Sequence, residues 1–129
     1  MKVLVLGCGA VGTVSALKFA QEPSCEQLVV ADAVPGRARE LADRIGGSQV
    51  LALTLDAGDR HAVARALRET RSTILLNAAL PATNLVVMRA CLDAGADYID
   101  MASGGAENDG TPKLPDQFAL DAEFRAAGR

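Results

Sequence analysis

The stretch Val3–Leu17, VLVLGCGAVGTVSAL, sets Gly7, Gly9 and Gly12 where a short apolar run gives way to a helical pattern. Glycine is a poor residue for both elements, costing a helix interior about 0.5–1 kcal/mol relative to alanine. Three of them at one junction imply a demand for bare backbone. Val3-Leu4-Val5-Leu6 is continuously apolar, as in a strand buried on both faces. From Ala10 to about Glu22 the period changes: Val14, Leu17 and Ala20 or Phe19 fall at helical spacing, and Pro23 closes the segment.

The same alternation continues outward. Leu28–Ala31 predicts a second strand closed by Asp32. Pro35 suits a first helical turn, Ala38, Leu41, Ala42 and Ile45 form that helix's apolar face, and Gly46-Gly47 stop it. Val50–Leu55 predicts a third strand ending at Asp56, and Asp59 caps a helix with Val63, Ala66 and Leu67 inward. Thr73–Leu76 ends at Asn77. Thr83 or Asn84 opens the next helix, which carries Val87, Ala90, Cys91 and Ala94 and stops at Gly95. Tyr98-Ile99 makes a short fifth strand ending at Asp100. Whole helices between strands exclude hairpins and predict a doubly wound parallel α/β sheet of five or six strands with helices on both faces. Ser103–Asp116 reads as one long irregular segment. Gln117–Arg129 reads as a helix of open register, with Phe118, Ala122 and Phe124 or Phe118, Asp121 and Arg125 as its face.

Composition narrows the function classes. The chain has 129 residues, a formal charge of −3, and Tyr98, Phe19, Phe118 and Phe124 as its aromatics. There is neither a basic footprint nor a stacking platform for nucleic acid. No stretch reaches the roughly 18–20 apolar residues of a membrane span, and the apolar run of MKVLVLGC is too short for an export signal, whose core takes about 7–15 residues. Cys8, Cys25 and Cys91 lack the spacing of a metal site and fit a reducing, cytoplasmic setting.

In this context the glycines form a GxGxxG motif between a strand and a helix. Gly7 permits the tight turn, Gly9 lets a pyrophosphate approach the main chain, and Gly12 lets the helix pack on the strand. The amides of Ala10, Val11 and Gly12 open the helix and face the anion. Asp32, about twenty residues further on, is placed to accept hydrogen bonds from the adenosine ribose. The reading is dinucleotide binding. Asp32 repels a 2′-phosphate and leans the choice to NAD; Arg37 and Arg39 could grip that phosphate and keep NADP as the alternative. Ligands in such sheets lie outside the carboxyl ends of the strands. That places Asp56-Ala57 near the adenine and Asn77-Ala78-Ala79 beside the nicotinamide ribose. Asp56 is equally readable as a loop cap for the next helix.

The stretches MKVLVLGCGAVG, VVADAVPGRARELA, LTLDAGD and TILLNAALPATNLVVMRACLDAGADYIDMA together resemble the amino-terminal domain of the saccharopine dehydrogenase/reductase family. Residues 77–102 are the most specific part. The resemblance implies an NAD(P)-dependent oxidoreductase acting on secondary amines or imines of amino acids and polyamines. It implies a large second domain that supplies substrate contacts and dimerisation, and hence a homodimer. It also implies a further strand and a glycine-rich turn after the helix matching residues 117–127. Residues 1–129 are then the cofactor domain of a longer two-domain enzyme, inactive by itself. No residue is assigned to catalysis. Asp100 and Ser103 lie near the expected nicotinamide end but read more simply as loop residues; His61 lies on a surface helix, Cys8 is a small filler, and Tyr98 packs beneath the sheet edge. The rival reading is a regulatory nucleotide sensor of the same fold, which binds the dinucleotide without chemistry.

Overall fold

The Val3–Leu6 run is wholly buried because strands flank it on both sides and helices cover both faces. The computed structural model describes residues 1–101 and 116–129. Five parallel strands lie in one sheet: β1 (Lys2–Leu6), β2 (Gln27–Asp32), β3 (Val50–Thr54), β4 (Ile74–Asn77) and β5 (Asp97–Asp100). Their order is β3-β2-β1-β4-β5. The chain winds outward from β1 to β3, then crosses to the other side of β1. That reversal leaves a crevice at the carboxyl ends of β1 and β4.

The crossovers are α1 (Ala10–Gln21), α2 (Arg37–Ile45), α3 (Arg60–Thr70) and α4 (Asn84–Ala94). They divide the core into two clusters. Val3, Val5, Leu28, Val30 and Leu76 face α1 and α2, while Leu4, Leu6, Val29 and Leu75 face α3 and α4. Alternate residues of each strand serve opposite layers, which explains why the strands read as unbroken apolar runs.

Several expectations are corrected. The inner face of α1 is Gly12 and Ala16, with Phe19 and Ala20 packed against the core as expected, but Val14 stands 59% exposed. Small side chains let this helix approach the sheet closely, which a Val14–Leu17 face would prevent. Pro35 lies in the turn before α2, with Gly36 at the N-cap at φ +89°. The final segment is a 3-10 turn, Asp116–Leu120, followed by α5 (Asp121–Ala126). The change of pitch turns Leu120 into the core and Phe124 against it, leaving Phe118 exposed; neither expected register holds. Ser103 and most of the expected irregular segment fall outside the described residues. Among the described residues, no helix is long and apolar enough to cross a membrane.

Candidate functional site

The junction after β1 is built by contacts that leave no room for side chains. Gly7 has φ +101°, and a Cβ there would come within 2.8 Å of the Ala78 carbonyl and the Ala79 nitrogen. A Cβ on Gly12 would lie 1.7 Å from the Gly7 carbonyl oxygen. Gly9 is different. Its φ is −72°, open to any residue, and among the described residues a Cβ there would meet nothing within 4 Å. Packing and backbone conformation account for Gly7 and Gly12, whereas Gly9 faces open space. Gly9 is the N-cap of α1 and supplies no side-chain cap, so the amides of the first turn are directed at whatever lies in that space.

The space is a cleft of about 380 Å³ across the carboxyl ends of the strands. Gly7 and Gly9 form its middle. Asp32, Ala33 and Arg37 line the β2 side, with Asp56 and Ala57 beyond β3. Ala78, Ala79, Leu80 and Thr83 line the β4 side. Of the residues singled out from the sequence, eight therefore share this cleft: Gly7, Gly9, Asp32, Arg37, Asp56, Ala57, Ala78 and Ala79. Ala10, Val11 and Gly12 form the first turn of α1 behind it, and Asn77 lies buried below the β4 wall. Leu6, Ala33, Leu55, Leu80 and Thr83 were not anticipated as lining residues. The rule that ligands sit outside strand ends could have found Ala33 and Leu55, each directly following a strand.

Asp32 has a role within the fold itself. It is 6% exposed. Its Oδ2 accepts from the Cys8 amide at 2.7 Å and its Oδ1 from the Val34 amide at 2.8 Å. The carboxylate thus ties the glycine loop to β2, reinforced by the Gly7 amide donating to the Ala31 carbonyl at 2.7 Å. Arg37 stands 3.6 Å from Asp32 Oδ1 with its side chain half exposed. Arg37 also borders a recess of about 130 Å³ with Cys8, Thr13, Glu40 and Arg44. Arg39 is exposed and lines neither space. Asp56 accepts from the Gly58 amide at 2.8 Å, while Asp59 caps α3 through the Ala62 amide. Asp56 therefore orders its own loop and also faces the cleft.

Below the β4 wall lies a polar cluster that the sequence did not reveal. Asn77 Nδ2 donates to Asn84 Oδ1 at 3.0 Å and to the Tyr98 hydroxyl at 3.4 Å. Tyr98 packs against the core, as expected, but its hydroxyl also donates to Asp100 at 3.0 Å. Burial pushes the Tyr98 phenol well above its ordinary value, and the bond to Asp100 adds to the shift. The Cys8 thiol is pushed up to about 11, first by burial and then by the Asp32 charge. Such a thiol is inert, in keeping with a filler role. His61 is exposed on the first turn of α3. Among the described residues, no cluster of three or more ligating side chains could hold a metal.

The family model described as the saccharopine dehydrogenase NADP binding domain matches residues 3–129. Carboxyaminopropylagmatine dehydrogenase from Synechocystis sp. is 32% identical over 127 residues, covering 98% of this chain and 32% of that protein. Carboxynorspermidine synthase from Vibrio cholerae is 26% identical over 144 residues, covering 99% of this chain and 34% of that protein. The chain thus spans about a third of the length of these curated relatives. Among solved structures, apo saccharopine dehydrogenase (L-Glu forming) from Saccharomyces cerevisiae superposes with a TM-score of 0.78 at 20% identity, over 98% of this chain and 25% of that one. UDP-glucose 4-epimerase from Thermus thermophilus, in complex with NAD, superposes with a TM-score of 0.67 at 21% identity, over 99% of this chain and 52% of that one. At these identities the structural likenesses establish the Rossmann-type fold.

Proposed function

The chain belongs to the saccharopine dehydrogenase NADP-binding domain family, and from that premise we propose that it is the cofactor module of an oxidoreductase acting on secondary amines or imines derived from amino acids or polyamines. The relatives named above are a polyamine-type dehydrogenase and a synthase, which supports this substrate class over a purely regulatory sensor. A bound reduced nicotinamide supplies the hydride at its C4. The residues of this chain hold and orient that group. The α1 amides receive the pyrophosphate, the Asp32 side receives the adenosine, and the Ala78–Thr83 side receives the nicotinamide half. Substrate contacts then fall to a second domain beyond these residues, and the cofactor module by itself turns nothing over.

The observation that carries this reading is Gly9: nothing among the described residues requires a glycine there, yet its missing side chain opens the cleft at the helix N-terminus. A diphosphate fits that cradle of amides. The nucleotide preference follows from Asp32. A 2′-phosphate brought beside this buried carboxylate is repelled, which favours NAD. The NADP alternative rests on Arg37, which borders both the cleft and the recess shared with Arg44.

Fluorescence titration of the chain with NADH and NADPH tests both levels. Binding of NADH more tightly than NADPH is the expected result, and Arg37→Ala leaves that order unchanged. Tighter NADPH binding that collapses in Arg37→Ala overturns the preference for NAD. Failure of both nucleotides at millimolar concentration overturns the dinucleotide assignment itself.

A further inference from the structure

Asn77 and Tyr98 do not line the cleft, yet their bonds define one of its walls. Asn77 closes β4 and is 2% exposed. Its Oδ1 accepts from the Ala79 amide at 3.2 Å, folding the chain back directly after the strand. The Ala78 amide donates to the Leu6 carbonyl at 2.8 Å. The peptide between Ala78 and Ala79 is thereby pinned against Gly7, at the distance that excludes a Cβ there.

An amide can hold this pose only if its nitrogen is also satisfied. Asn77 Nδ2 finds Asn84 Oδ1 on α4, the Thr83 hydroxyl at 3.5 Å and the Tyr98 hydroxyl on β5. The direction of the last bond is fixed by chemistry. Tyrosine has one hydroxyl proton, and Asp100 takes it. The phenol oxygen is then left to accept from Asn77. Gln117 Nε2 donates to the same Asp100 oxygen, holding the carboxylate in place from the segment before α5. Donation therefore runs from Asn77 to Tyr98 and from Tyr98 to Asp100, which also accepts from Gln117 on the far side.

We propose that Asn77 and Tyr98 are positioning residues, which hold the Ala78–Ala79 peptide as the wall receiving the nicotinamide half of the dinucleotide. The proposal rests on the dinucleotide reading above. Asp32 and Arg37 mark the adenosine end, and the glycine loop takes the middle. The β4 wall is what remains for the other half. Loss of the network therefore affects one half of the ligand and spares the other.

The test uses two probes on the 129-residue chain: NADH, which spans the cleft, and ADP, which lacks the nicotinamide half. Asn77→Ala is expected to weaken NADH by about tenfold or more, the consequence of freeing the Ala79 amide and its wall. ADP binding stays within about twofold, a change too small to signal a lost hydrogen bond. The gain in nicotinamide emission on binding falls as well. Tyr98→Phe keeps the ring in the core and removes one accepting oxygen, so NADH weakens by about threefold with ADP unchanged. This second variant decides the matter if Asn77→Ala does not fold. Equal losses for both probes indicate general loosening and overturn the proposal, as does unchanged NADH binding in a folded variant. Wild-type chain that binds ADP but not NADH overturns it too. Wild-type chain that binds neither overturns the dinucleotide reading on which it rests.

Discussion

Replacing Gly9 with alanine separates ligand demand from folding demand. The φ of −72° admits alanine, and the new methyl meets no atom of the described residues within 4 Å. Two small stability effects oppose each other. Alanine is a poorer N-cap than glycine, at a cost of up to about 1 kcal/mol. It also restricts the unfolded chain, which returns about 0.4–1 kcal/mol. Folding stability is thus expected to stay within about 1 kcal/mol of the parent. Binding behaves differently on the proposed reading, which has the phosphates approach the α1 amides where the methyl stands. Hydrogen bonds to a charged group are worth about 1.5–3 kcal/mol each, so losing even one weakens the dinucleotide at least about tenfold. Urea unfolding gives the first quantity and titration of nicotinamide fluorescence the second. A folded Gly9→Ala chain that binds NADH and NADPH as the parent does would refute the assignment of this space to the pyrophosphate.

Other substitutions probe the frame around the site. Gly12→Ala puts a Cβ 1.7 Å from the Gly7 carbonyl oxygen, so α1 must lift from the sheet, at a cost of about 3 kcal/mol or more; an unchanged urea midpoint would show that the helix is not seated there. Asp32→Ala strands the Cys8 and Val34 amides and is expected to cost about 2–5 kcal/mol of stability in addition to ligand affinity. Asp32→Asn, which keeps one acceptor, costs less in the same unfolding assay. The thiols predict an alkaline decline. Cys8 and Cys91 are raised from 9.0 to about 11 and about 12, burial being the larger cause in each. Above about pH 9 the unfolded chain releases thiol protons that the folded chain retains, so their stabilisation, complete below that pH, is lost as pH rises through the folded values. Urea midpoints should fall between pH 8 and pH 10, and the thiol share of that fall should disappear in the Cys8→Ala/Cys91→Ala chain.

Much of the fold was legible because backbone demands are local. The runs Val3–Leu6 and Leu28–Ala31 announced buried strands, and Asp59 and Gly95 sit at the helix ends where they were expected. The first helix was misread for an equally physical reason. Periodicity marks which residues are apolar, but closeness of approach decided which face turned inward, and Gly12 with Ala16 approaches closer than Val14 could. The last segment failed similarly: a 3-10 turn shifted the phase of its apolar positions, so Leu120 rather than Phe118 reached the core.

From the sequence alone came the alternating strands and helices, the glycine junction and the acidic end of β2, since each depends on a few consecutive residues. Tertiary structure decided which of those glycines serve packing and which one faces the open cleft. It also turned Asp32 into a clasp for the glycine loop and joined Asn77 to Tyr98 across twenty-one positions of chain. Such partnerships follow from the order β2-β1-β4-β5 in the sheet. A hydrogen bond between residues on neighbouring strands exists only once the chain has crossed over and set those strands side by side.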